Sequence, residues 1–290
     1  MRAKAMHLQR KGCILGLLLS FSLFFFSTTG WGAEGQRPGP GKSARENAEM
    51  VLIPEGAFLR GSGEREAQII SHIMGVPTNF RDKEPQTVTR LKGFYIDTHE
   101  VTNAQYTEFL QATGDHPPDH WTEGAYPPGK GDYPVIYISW ISAQRYCEWA
   151  GKRLPTEEEW EKAARGSDGR LFPWGDRFEP GKANLWEEGI KAPRSVGQYR
   201  QDRSPYGVYD MAGNVMEWTA TLFQDDLTIV RGGSWANDQA ESRLDRKMIS
   251  ELDVTSNGVG FRCARSEERP LKTYVRQPDG SLKLLGKDSG

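Results

Sequence analysis

The side chains best equipped for chemistry in this 290-residue chain fall into a few groups. His116 and His120 have the four-residue spacing of a metal pair on one helical face. Pro117 and Pro118 between them prevent that helical turn, and no carboxylate–histidine motif follows at a fixed offset. The pattern predicts a solvent loop. Cys147 and Cys263 are the two cysteines beyond the N-terminal segment. In an oxidising compartment they form one disulfide closing a very long loop; otherwise they are two buried thiols. Arg243, Arg246 and Arg262 could hold an anion or give their N–H groups to loop carbonyls. Gly232-Gly233 signals a tight turn or close packing, and no nucleotide motif surrounds it.

The elements that must position these residues are short. Met50–Leu59 reads as two strands around a Pro-Glu-Gly turn, residues 62–86 as a polar loop, and Thr87–Ile96 as a strand. Three helices are legible from their caps. Thr102 with Gln105 forms a capping box, Tyr106, Phe109 and Leu110 give the apolar face, and Gly114 the stop. Ser139 or Ser142 opens a second helix with Ala143, Tyr146, Cys147 and Ala150 on one face, ending before Gly151. Thr156 with Glu159 caps a third, which buries Trp160, Ala163 and Ala164 and ends at Gly166. Beyond it no helical period lasts, and strands are expected only at 228–231 and 258–265. So few regular elements imply a loop-rich α+β domain fixed by packed tryptophans, bound ions or a disulfide. The polar tail from Glu267 carries a possible hairpin around Pro278-Asp279-Gly280.

Composition excludes several classes. With 37 Lys+Arg against 39 Asp+Glu there is no nucleic-acid signature, and 37% hydrophobic residues with 26% charged fits neither a disordered chain nor a polytopic membrane protein. Residues 1–33 read as a secretory signal peptide: Arg2, Lys4, Arg10 and Lys11, then the apolar run 13–26, then Gly30, Gly32 and Ala33. That run is shorter than the roughly 20 residues that span a bilayer. The alternative is an uncleaved anchor, the one route to a membrane. Export places the chain in a periplasm or the extracellular space. A Pro/Gly-rich linker follows at 34–48, then a domain at 49–266 and the tail at 267–290.

Longer motifs decide the family. They include Val101-Thr-Asn-Ala-Gln-Tyr106, Tyr146-Cys-Glu-Trp-Ala-Gly-Lys-Arg-Leu-Pro-Thr-Glu-Glu-Glu-Trp160, Phe172-Pro-Trp-Gly175, Tyr206-Gly-Val-Tyr-Asp-Met-Ala-Gly-Asn-Val-Met-Glu-Trp218, Arg231-Gly-Gly-Ser-Trp235 and Gly260-Phe-Arg262. In this order they resemble the formylglycine-generating enzyme (sulfatase-modifying factor) family over roughly residues 49–266. The resemblance implies a single loop-rich α+β domain related to C-type lectin-like folds. It also implies a structural disulfide between Cys147 and Cys263. The family's enzymes oxidise a sulfatase cysteine to formylglycine with O₂ and a copper ion held by two cysteines, three and eight residues after the serine of Gly-Gly-Ser-Trp. Here that serine is Ser234 and the two positions read Asn237 and Ser242. An amide and a hydroxyl are poor ligands for Cu(I), so copper and the oxidase activity are not expected.

The resemblance also implies calcium. Asp210 and Glu217 would offer carboxylates, with Gly213 and Val215 offering main-chain carbonyls, a hard-oxygen set that suits Ca²⁺. The alternative is a turn capped by Asp210 with Glu217 paired to an arginine. A second site would use the Asn184 side chain and the Leu185 carbonyl, but the stretch holding its other ligands is shortened to 187–194. The expected function is that of an exported binding or maturation-accessory domain for a peptide, glycan or protein ligand. The second reading is a non-copper enzyme of altered chemistry, like periplasmic relatives implicated in siderophore maturation or nitrite reduction. The third is a formylglycine-generating oxidoreductase acting on sulfatases.

Overall fold

Each of the three helices begins where its cap predicts. In the computed structural model, which describes residues 49–63, 86–267, helical positions 68 and 71, and strand segments 274–276 and 282–284, α1 spans Asn103–Thr113, α2 Trp140–Trp149 and α3 Glu157–Arg165. Thr102 and Thr156 both make full capping boxes, with Gln105 and Glu159 reaching back to the cap N–H. Ser139, not Ser142, caps α2. Gly114 ends α1 in the left-handed conformation. The signal peptide and linker expected at 1–48 lie outside the described residues. No helix among the described residues is long and apolar enough to cross a membrane.

The strands are shorter and more broken than expected. Residues 87–96 are not one strand but two, β3 (Thr87–Leu91) and β4 (Phe94–Asp97), split at Lys92-Gly93 because each half joins a different sheet. β1 (Met50–Ile53) pairs with β4, while β2 (Gly56–Arg60) pairs with β3. Of the expected loop at 62–86, Gln68 and Ser71 are helical. The 3₁₀ turn Trp186–Glu188 leads towards β5 (Met216–Gln224), β6 (Leu227–Arg231), β7 (Lys247–Glu251) and β8 (Val259–Gly260), a four-stranded sheet in the order β7-β6-β5-β8. β5 and β7 were not expected. The segment 258–265 contributes β8 and then β9 (Ala264–Ser266), which pairs with β4. In the tail, β10 (Tyr274–Arg276) and β11 (Leu282–Leu284) form the antiparallel pair of the expected hairpin.

The core has two main parts. Tyr106, Phe109, Tyr146, Trp218 and Phe261 pack around a bridge between Cys147 and Cys263, whose Cα atoms are 5.7 Å apart across 116 residues of sequence. Ile53, Ile96, Ala163, Met211 and Leu244 pack around Trp160. Trp186 departs from the core-anchor reading of the tryptophans, since it is 53% exposed.

α3 buries charge as well as apolar surface. Glu157, Glu161, Lys162 and Arg165 are almost wholly enclosed. They persist there because every charge is met. Arg60 binds Glu157 at 2.5 Å, Arg231 bridges Glu157 and Glu161 at 2.8 and 2.7 Å, and Arg165 binds Glu161 at 2.6 Å. The Lys162 ammonium donates to the carbonyls of Pro54 and Gly56. This ladder ties β2, α3 and β6 together.

Candidate functional site

The segment from Asp210 to Glu217 curls before entering β5. Asp210 (φ 59°) and Asn214 (φ 72°) both adopt left-handed backbone, which short polar side chains tolerate best. Asp202 holds the curl by accepting the N–H groups of Ala212 and Gly213 at 3.1 and 3.2 Å. Gly213 lies so close to Asn184 that a Cβ would sit 2.7 Å from its carbonyl oxygen. Asn214 N–H donates to that oxygen at 3.0 Å, and the Asn184 amide donates to Asn214 Oδ1 at 3.2 Å. The two segments expected to bind calcium are therefore neighbours. Asn184 is 1% exposed and its Oδ1 has no hydrogen-bond partner.

Four carboxylates gather here, from Glu100, Asp202, Asp210 and Glu217, none more than 3% exposed. Arg262 enters among them. Its guanidinium grips both oxygens of Glu217 at 2.7 Å, and Trp160 Nε1 adds a third bond at 2.9 Å. The arginine's other N–H groups donate to the carbonyls of Asp97 and Tyr209. Burial pushes Glu100 well above the usual carboxylate range, and the Asp210 charge pushes it further. Burial also raises Asp210, to about 6, and raises Asp202 well above its ordinary value.

These donors fit calcium unevenly. Oxygen ligands dominate, as a hard cation requires. At Glu217, however, both oxygens are committed to a guanidinium, and a dication there would face a positive charge. Among the described residues no three His, Cys, Asp or Glu side chains gather in metal-holding geometry. A cation in this region would draw on amide, main-chain and water oxygens besides at most two carboxylates.

The loop after β6 shows what became of the copper positions. Asn237 Oδ1 accepts from the Ser234 N–H and hydroxyl at 2.9 and 2.6 Å, and its amide donates to Glu241 at 2.9 Å. Ser242 is fully buried and donates to the Asp238 carbonyl at 2.8 Å. Both side chains close the turn on itself. Cys147 and Cys263 are bridged in the core and offer no thiolate. The residues do not fit Cu(I).

The model of the sulfatase-modifying factor enzyme 1-like domain matches residues 36–267. The chain belongs to this family. Among its relatives is the inactive C-alpha-formylglycine-generating enzyme 2 of Bos taurus, 41% identical over 288 residues, covering 78% of this chain and 90% of that protein. The formylglycine-generating enzyme of Streptomyces coelicolor is 30% identical over 311 residues, covering 81% and 95%. Among solved structures, PvdO from Pseudomonas aeruginosa superposes with a TM-score of 0.62 at 26% identity, covering 80% of this chain and 99% of that one. The sulfatase-modifying factor fold here is accordingly a loop-rich α+β domain.

Other residues of this family member have simpler roles. His116 and His120 are exposed, and His120 packs against Tyr137 at 4.7 Å between ring centroids. Arg243 is buried, paired with Asp245 at 3.1 Å and donating to the Ala240 carbonyl; Arg246 approaches Glu241 at 3.9 Å. Glu100 and His99 escaped the sequence reading, although they directly precede the Val101–Tyr106 motif. His99 stacks on Tyr209 (4.9 Å, 5° between planes) and shares a 2.9 Å bond with Thr98 Oγ1. Burial, with help from Arg262 and Arg200, lowers its pKa to about 4. Its unfolded form takes up a proton near pH 6.5. Stability from His99 is therefore complete above that value and is lost as pH falls towards 4. In paired thermal melts across this window, wild type is expected to lose stability relative to H99N as pH falls. A difference that stays constant with pH would contradict this.

Proposed function

We propose that this chain is an exported, calcium-stabilised sulfatase-modifying factor protein that binds a peptide, glycan or protein ligand, without copper-dependent oxidation of cysteine. The observation carrying this reading is the Ser234–Ser242 loop. Where the family's oxidases present two thiols to copper, Asn237 and Ser242 are turned inward to close the turn. The soft-metal chemistry has no ligand, while the scaffold around it is intact. The similarity to a relative named as inactive supports the same direction. Calcium is assigned to the Asn184–Glu217 region, on the oxygen-rich donors and the unpartnered Asn184 Oδ1. The basic, apolar and small-residue pattern of residues 1–33 supports export.

The test supplies purified protein with Cu(I), O₂ and a cysteine peptide from a sulfatase, and reads aldehyde formation by mass spectrometry. No aldehyde and no stoichiometric copper are expected. Conversion of the thiol would overturn the reading. The second reading, a non-copper enzyme of altered chemistry, rests on the family scaffold being kept where the copper ligands are not. Metal analysis separates the two: stoichiometric iron would favour it.

A further inference from the structure

We infer that β7 is a docking edge for a second copy of this chain, the two β7 strands pairing antiparallel about a two-fold axis at Ile249. In the sheet β7-β6-β5-β8, β7 has β6 on one side and no strand among the described residues on the other. The Leu252 N–H donates to the Asp226 carbonyl at 3.3 Å, and the ladder sets Glu251 opposite Leu227. Hydrogen-bonding direction alternates along an antiparallel strand. Ser250 and Met248 therefore face β6 as Leu252 does, and Ile249 and Glu251 turn their main-chain groups outward. Met248 and Ile249 are 40% and 42% exposed there. An edge that presents apolar side chains is a template for another strand unless proline, a bulge or charge blunts it. β7 holds no proline, and its register with β6 runs through all five residues without a shift.

Charge selects the occupant. Arg246 and Lys247 stand at the start of β7, Glu251 and Asp253 at its end, with Asp226 hydrogen-bonded beside them. No lysine or arginine occurs from 248 to 261. Arg246 and Lys247 both have interactions within their own chain, so the pairing draws on their sign and not on a vacancy. An antiparallel copy centred on Ile249 sets Lys247 of each chain opposite Glu251 of the other, and Met248 opposite Ser250. The two Ile249 residues exchange N–H and C=O. Each basic end then lies on the other copy's acidic end, whereas parallel pairing would align like charges, which repel across strands. The sheet's far edge, β8, is two buried residues. The contact therefore closes at two copies and does not propagate. Five residues a side make a small interface, of the weak and transient class.

The experiment is sedimentation equilibrium of the full chain, from micromolar to millimolar concentration, for wild type, Lys247→Glu, Glu251→Lys and the double exchange. Circular dichroism and thermal melting establish that each variant is folded. Wild type should form a reversible dimer. Each single exchange should weaken it roughly tenfold, because symmetry makes every substitution act twice, and the double exchange should restore it. Ile249→Cys tests the axis without altering charge. Its two copies should cross-link under mild oxidation, since residues paired in this way lie about 5.5 Å apart at Cα, within disulfide reach. A wild type that stays monomeric throughout overturns the proposal. A dimer that both single exchanges leave intact, or that forms while Ile249→Cys fails to cross-link, uses another face and overturns it as well.

Discussion

Arg262→Met is expected to lower the unfolding free energy by about 3–5 kcal/mol, the usual cost of deleting one partner of a buried ion pair. Glu217 would retain only the Trp160 N–H for a carboxylate with no solvent access. Two carbonyls, of Asp97 and Tyr209, would also lose their donors. Arg231→Met provides the comparison. It removes the middle cation of the α3 ladder, but Glu157 keeps Arg60 and Glu161 keeps Arg165. Its cost should therefore be the smaller of the two. Urea unfolding midpoints with unchanged m-values measure both. Equal losses, or an Arg262→Met protein as stable as wild type, would remove the central role given to this guanidinium.

The second large effect concerns the Cys147–Cys263 bridge. Replacing both cysteines by alanine should cost about 4 kcal/mol, because a loop of this length loses much chain entropy when closed in the unfolded state. The sulfurs sit at the meeting of α2 with the strand that follows Phe261, wholly buried among aromatic rings. Guanidinium unfolding of the double variant, compared with wild type before and after reduction, checks the value. If peptide mapping without reductant finds both cysteines alkylated, the bridge does not form and the expected loss disappears.

What the sequence reveals depends on how local the cause is. Thr102, Ser139 and Thr156 announce their helices because capping acts within four residues. The break at Lys92-Gly93 is less visible, since it depends on which distant strand each half meets. β5 was hidden inside a motif valued for its aspartate and glutamate, although Trp218, Thr219 and Thr221 favour a strand. The charges on α3 look like a solvated face, and only Arg60 and Arg231, far away in sequence, make their burial tolerable. The same holds at the site. Glu217 could be read as a ligand or as an arginine's partner, and nothing nearby in sequence says that Arg262 occupies both its oxygens. Glu100 joins the buried acids only because folding sets it against Asp210 from more than a hundred residues away.

The order in which these partners occur along the chain has a consequence for biosynthesis. α1, α2, α3 and the whole acidic loop are made before Arg262, Cys263 and β9. A nascent chain ending short of residue 262 has its acids in place without their counter-charge, an open thiol at position 147, and an unfilled edge beside β4. Assembly of the native interior must wait for the last stretch of the domain, so a truncated product should remain protease-sensitive even with most of its secondary structure encoded.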